Sequence, residues 1–229
     1  MNNNLPNWLE RHINIFDNEQ IHHAFIISGS KGIGKSLLIE NLAEKILNSK
    51  ISLENNPDFH NLKILAEKKL IGINQIHELR DKLYESSFLG KNKVAVINEI
   101  EKISIDGLNA ILKILEEPPK NTYFLLSTNF LNQIPLTIQS RCFDIRISTP
   151  EITQSLEWLS DYQTKDALKA LEITNNLPIK AKHFLDNKLL DARDNFVKDV
   201  SGIIKEGKDI ISISEKWIDD NDTLNLKLE

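Results

Sequence analysis

Eight consecutive residues carry the densest chemical signal in the chain: Gly29-Ser30-Lys31-Gly32-Ile33-Gly34-Lys35-Ser36. They match the pattern G-x-x-x-x-G-K-[ST] at every fixed position. Gly29, Gly32 and Gly34 let successive backbone N–H groups curl around anionic oxygens. Lys35 suits the β- and γ-phosphates of a nucleotide, and the Ser36 hydroxyl suits a Mg²⁺ ion. Two plainer readings stay open. One is a glycine-rich turn that only starts a helix. The other is a loop that keeps this shape without turning over nucleotide.

A second cluster follows the apolar run over residues 94–97, which ends in Asn98-Glu99. P-loop hydrolases place acids at the end of a neighbouring strand, one for Mg²⁺ and one to orient the attacking water. Here the Mg²⁺-side position is Asn98, a neutral amide that offers the cation no charge. Glu99 stands where a water-polarising acid would sit; its plainer reading is a solvated acid at a strand end. The pair reads as weakened for hydrolysis. The run over 94–97 is expected to lie beside the P-loop strand.

These residues need a scaffold. Residues 24–28 read as a short buried strand, and the residues after Ser36 are apolar at helical spacing. Strand, loop and helix together put the partial positive charge of a helix N-terminus at the loop. Residues 5–16 read as an opening helix with Leu5, Trp8, Leu9, His12, Ile13 and Phe16 on one face. Residues 59–65 resemble a strand. A helix capped by Asn74 holds Ile76, Leu79, Arg80 and Leu83. Residues 104–117 form a helix stopped by Pro118-Pro119. Strands follow over 122–127 and, at an edge, 143–147. This alternation implies a parallel sheet with helices on both faces. The pattern changes at Thr149-Pro150-Glu151, where threonine as cap and proline at the first helical position start a helix. Helices are expected over 150–160, 164–172, 178–187 and 191–206. The chain therefore reads as three regions, 1–148, 149–187 and 188–229.

With 229 residues, 41% of them hydrophobic, the chain can build more than one core. Its net charge of −5 makes it a poor stand-alone DNA binder, because nonspecific affinity comes from neutralised phosphates. Cys142 is the single cysteine, so neither an internal disulfide nor a cysteine zinc cluster is expected. The lone thiol reads as a small buried apolar residue. No signal peptide or transmembrane segment is expected, which suits a cytoplasmic protein without a membrane partner.

Three further stretches are specific together: Asn109-Ala110-Ile111-Leu112-Lys113-Ile114-Leu115-Glu116-Glu117-Pro118-Pro119, Ser127-Thr128-Asn129, and Ser140-Arg141-Cys142. With the P-loop, and with His23-Ala24-Phe25, Asn56-Pro57-Asp58 and Gln75-Ile76, they closely resemble the clamp-loader branch of the AAA+ ATPases. The resemblance covers roughly residues 5–220 and is strongest over 20–150. It implies an AAA+ α/β fold: a parallel five-stranded αβα sandwich, a small helical lid, and the start of a truncated helical collar. It also implies roles. Arg141 matches an arginine finger that points at the γ-phosphate of a neighbouring subunit, and is expected to be solvent-exposed. A guanidinium is always charged and suits a phosphoryl transition state. Thr128 and Asn129 match the sensor 1 strand end, and Lys180 falls near the sensor 2 position of the lid. The implied cofactor is ATP or ADP with Mg²⁺. The implied partners are the other loader subunits (gamma/tau and delta), the sliding clamp and primer-template DNA.

Two departures from the family and one competing reading frame the expectations. Residues 48–56 lack the cysteines of the usual zinc module, so zinc is expected to be absent. The run from Ile213 to Leu226 resembles an early collar, and the chain then stops. The leading reading is a stator subunit that donates Arg141 to a motor subunit, with weak or no ATPase activity of its own. The competing reading is a motor ATPase of the gamma/tau kind, favoured by the complete P-loop and opposed by Asn98. An unrelated P-loop kinase explains neither Ser-Arg-Cys nor Glu-Glu-Pro-Pro.

Overall fold

The computed structural model describes residues 5–14, 22–66, 68–206, 209, 210 and 213. It divides into two compact units between Pro150 and Glu151. The first unit is built on five parallel strands: β1 (Ala24–Ser28), β2 (Phe59–Leu62), β3 (Lys93–Ile97), β4 (Thr122–Thr128) and β5 (Phe143–Arg146). Their spatial order is β2-β3-β4-β1-β5. The expectation that the 94–97 strand lies beside the P-loop strand is therefore wrong, since β4 separates β3 from β1. The reason is burial. β4 is the longest strand, at seven residues, and is buried at all of them but Tyr123. With β1 and β3, which are buried at every residue, it fills the three interior positions of the sheet, and as the longest strand it pairs along both of them.

Helices cover both faces. These are α1 (Asn7–Ile13), α2 (Lys35–Leu47), α3 (Ile73–Tyr84), α4 (Ile105–Glu116) and the short α5 (Leu136–Gln139). Alternate strand residues face opposite sides. Ala24, Ile26, Ala95, Ile97, Phe124 and Leu126 join Ile76, Leu79 and Leu83 of α3 and Ile111, Ile114 and Leu115 of α4 in one core. The intervening Phe25, Ile27, Val94, Val96 and Leu125 are also buried, and α2 packs against β1, β3 and β4. Trp8 of α1 donates its indole N–H to the Ile33 carbonyl at 3.1 Å, tying the opening helix to the glycine loop. Phe16 lies outside the described residues.

Helix starts differ from expectation at two places. Gly72, not Asn74, caps α3, because the Gln75 side chain reaches back to accept from the Gly72 N–H at 3.3 Å. The helix after Pro150 begins at Ile152 with Glu151 as cap, where Gln154 accepts from the Glu151 N–H at 3.1 Å. At α4 the Ser104 hydroxyl accepts from the Gly107 N–H at 3.2 Å, a serine N-cap of the usual kind.

The second unit is helical: α6 (Ile152–Trp158), α7 (Thr164–Ile173), α8 (Pro178–Asp186) and α9 (Leu189–Glu206). Leu159, Ala167, Ala170, Leu171 and Ala181 form its core. Of the run expected to open a collar, Ile213 to Leu226, all but Ile213 lies outside the described residues. No described helix is long and apolar enough to cross a membrane.

Asp58 shows how the sheet organises its loops. It is 1% exposed and accepts from the Phe88 N–H (2.8 Å), the Leu89 N–H (3.0 Å) and the Ser87 hydroxyl (3.1 Å). These bonds fix the turn that feeds β3. Replacing Asp58 by Ala leaves those donors without their acceptor and is expected to destabilise the protein by about 2–3 kcal/mol. Urea denaturation checks this; a loss below about 0.5 kcal/mol would remove Asp58 as the organiser of that turn.

Candidate functional site

The glycine loop runs from the end of β1 to the start of α2. Gly32 and Gly34 have φ of 90° and 111°, backbone that favours glycine. At Gly29 an added Cβ would sit 2.8 Å from the Ile147 carbonyl oxygen, too close for a side chain. The N-terminus of α2 has no side-chain cap and no acid in its first turn. Its first N–H groups thus remain as anion donors, and the helix dipole favours negative charge there. Ser36 is exposed at this helix end.

Lys35 is buried, and its ammonium has three acceptors: the Gly29 carbonyl (2.6 Å), the Asn129 Oδ1 (2.8 Å) and the Ser30 carbonyl (3.0 Å). Asn129 stands just past β4. Its amide nitrogen donates in turn to Glu101 Oε1 (3.2 Å) and Glu99 Oε1 (3.3 Å), and its backbone N–H donates to Glu101 Oε1 at 3.0 Å. One carboxamide therefore links the P-loop lysine to both acids beyond β3. Thr128, fully buried, accepts from the Gly29 N–H through its carbonyl (3.3 Å) and from the Phe130 N–H through its hydroxyl (3.0 Å).

Asn98 points its carbonyl oxygen at the Ser127 hydroxyl, 3.2 Å away, and Ser127 Oγ also accepts from the Glu99 N–H at 3.3 Å. Glu99 has φ of 53° and pairs through Oε2 with Lys102 at 2.7 Å. Sequence reasoning missed two members of this cluster, Glu101 and Ser127. Glu101 has Oε2 buried without a hydrogen-bond partner among the described residues. The available signal was the second acid in Asn98-Glu99-Ile100-Glu101, directly after an apolar strand. Lys180 lies in the first turn of α8 in the second unit, half-buried. No group of three or more His, Cys, Asp or Glu side chains suited to a metal exists among the described residues.

Arg141 follows α5 and differs from expectation. Its side chain is only 35% exposed and is paired with Glu116 at 2.6 Å. A guanidinium beside a carboxylate at the end of α4 gains a charge-assisted hydrogen bond by folding onto it, so it does not project freely. Its second contact is the Thr137 carbonyl at 2.7 Å. The neighbouring Cys142 packs against the core, where burial pushes its thiol up to about 12, making it unreactive at neutral pH.

A five-stranded parallel sheet with a P-loop after β1, acids after β3 and an asparagine after β4 defines an AAA+ type P-loop domain. A gamma-subunit-related protein of DNA polymerase III from Thermotoga maritima has the same fold, with a TM-score of 0.54, 23% identity, and coverage of 73% of this chain and 58% of that one. The family model described as DNA polymerase III, delta subunit, matches residues 5–151. The chain belongs to that family. A curated relative, DNA polymerase III subunit delta' of Buchnera aphidicola (Schizaphis graminum), is 32% identical over 88% of this chain and 66% of its own length. DNA polymerase III subunit gamma of the same organism is also 32% identical, over 59% of this chain and 40% of its own. The chain thus spans about two thirds of its delta' relative.

Burial pushes the Lys35 ammonium down from 10.5 to about 8, against the opposing pull of Glu101 and then Glu99. Between those two values the unfolded chain holds a proton that the folded chain has released. This group's contribution to stability therefore rises with pH across that window and is lost as pH falls through about 8. An NMR titration of lysine side chains is expected to show a midpoint of about 8 that vanishes in Lys35→Met and moves lower in Glu101→Gln. An unchanged midpoint in Glu101→Gln would remove that carboxylate as the counter-charge.

Proposed function

We propose that this chain is a stator subunit of a bacterial clamp loader, acting in DNA replication as part of the DNA polymerase III assembly. In this reading Arg141 completes the ATP site of an adjacent motor subunit of the gamma/tau kind. The observation that carries it is the separation of partners. Arg141 bonds to Thr137, Ser140 and Glu116, whereas Lys35 bonds to Gly29, Ser30 and Asn129. The two cations share no partner, as a finger serving another subunit requires. The delta' relative matches far more of this chain than the gamma relative does at equal identity, which supports the stator over the motor.

The loop itself fits a polyphosphate, given its uncapped helix start and buried lysine. Gly29, Gly32, Gly34 and Lys35 would hold the phosphates of an adenine nucleotide, and the Ser36 hydroxyl would hold Mg²⁺. Bound Mg²⁺ neutralises charge on the phosphates during transfer. Asn98, Thr128 and Asn129 would line the nucleotide and Glu99 would orient water, while Lys180 of the second unit keeps the sensor 2 role that the resemblance implies. Asn98 is neutral and already engaged with Ser127, so turnover by this chain is slow in this reading. The motor reading keeps one observation in its favour, the complete P-loop. In the same proposal residues 1–148 form the AAA+ domain, 149–187 the lid and 188–229 the start of a collar. The partners are the loader's gamma/tau and delta subunits, with the clamp and primer-template DNA reached through the assembly, in the cytoplasm.

Arg141→Ala tests the stator. In a loader assembled from the full-length protein, it is expected to lower ATP turnover about tenfold or more. Arginine fingers supply about 10³–10⁵ in other P-loop systems, and here several sites share the work. Stability is expected to fall by about 1 kcal/mol or less, as for an exposed ion pair. Turnover equal to the parent's would sink the stator reading. Turnover on the order of 1 s⁻¹ by the isolated full-length protein would favour the motor.

A further inference from the structure

Arg141 is held twice over. Its backbone N–H donates to the Ile138 carbonyl at 3.1 Å; Ile138 sits in the core and Cys142 packs against it. Its guanidinium is then clamped from two elements. Nη2 donates to Glu116 Oε1 at 2.6 Å, while Nη1 donates to the Thr137 carbonyl at 2.7 Å and to Ser140 Oγ at 3.4 Å. A guanidinium has five N–H donors. With both Nη1 protons and one Nη2 proton engaged, the Nε–H and the second Nη2 proton remain without a partner among the described residues. Two such donors suit phosphoryl oxygens.

Glu116 is costly on local grounds. It is the last residue of α4, where the helix carbonyls disfavour negative charge. Glu117 and then Pro118-Pro119 follow, so the chain leaves the helix at once. An acid at such a place gains from a nearby cation, and it pairs with Arg141 at 2.6 Å.

We propose that Glu116 is a positioning residue for Arg141, holding the guanidinium in one orientation while leaving two N–H donors for the nucleotide of a neighbouring subunit. This rests on the finger reading of Arg141. An unheld arginine must surrender rotamer freedom when it engages a phosphate. One fixed by Glu116 has surrendered that freedom on folding, so engagement costs less and misplacement is rarer.

The test uses the full-length protein assembled with its neighbouring loader subunits, comparing the parent with Glu116→Ala, Glu116→Gln, Arg141→Ala and the Glu116→Ala/Arg141→Ala double variant. Steady-state kcat and KM for ATP are read alongside melting temperature. Glu116→Ala is expected to lower kcat about 3- to 10-fold with KM within about twofold. Glu116→Gln, which keeps a hydrogen-bond acceptor but not the charge, is expected to fall between it and the parent. The double variant is expected to match Arg141→Ala alone, because an orienting residue has nothing left to orient. If Arg141→Ala has no effect, the finger reading falls and the positioning role with it. If Arg141→Ala lowers kcat while both Glu116 variants keep the parent's kcat or exceed it, the positioning role falls alone. Independent losses that multiply in the double variant would also overturn it.

Discussion

The P-loop unit depends on one carboxamide. Asn129 accepts from the Lys35 ammonium and donates to Glu99 and Glu101. It can do so because β4 lies between the P-loop strand and the acid-bearing strand. Two strands apart, β1 and β3 lie roughly 9–10 Å from each other in the hydrogen-bonding direction. A residue at the tip of the strand between them can reach both. The lysine's charge, lowered in affinity for its proton by burial, is thereby balanced by carboxylates on the far side of β4. An asparagine serves this bridge well, since it accepts on one atom and donates on the other.

That arrangement gives α4 a position of consequence. The helix begins four residues after Glu101 and ends at Glu116, which pairs with Arg141. Its 12 residues span about 18 Å. The acids beside the glycine loop and the Glu116–Arg141 pair thus stand at opposite ends of one helix. Its buried side carries Ile111, Ile114 and Leu115 into the same core as β1, β3 and β4. Close packing of that kind leaves little room for one end to shift without the other. Asp58 does comparable work at the start of β3, where it fixes a loop through three donors.

Much of this was legible in the sequence, for physical reasons. The glycine loop, the apolar strands and the proline stop after α4 are set by local sterics and by short-range hydrophobic patterning. Gly32 and Gly34 need backbone that other residues resist, so their place in the pattern carries its own geometry. The alternation of strand and helix likewise specifies a parallel sheet. Family membership rests on the same local runs, matched over residues 5–151.

What the tertiary structure alone decided were long-range choices between partners. Strand order put β4 between β1 and β3, where the longest strand pairs along both; spacing along the chain holds no such information. Glu101 joined the site, and Ser127 took the oxygen of Asn98, only once β3 and β4 were side by side. Capping of α3 and α6 passed to Gly72 and Glu151 because glutamine side chains reached back one turn. Arg141 met Glu116 across a sequence separation of 25 residues. Local pattern determines which elements form and which residues carry chemistry. Which of those residues touch is a matter of packing, since the cost of leaving a charge or amide without a partner is settled only when the whole core has closed.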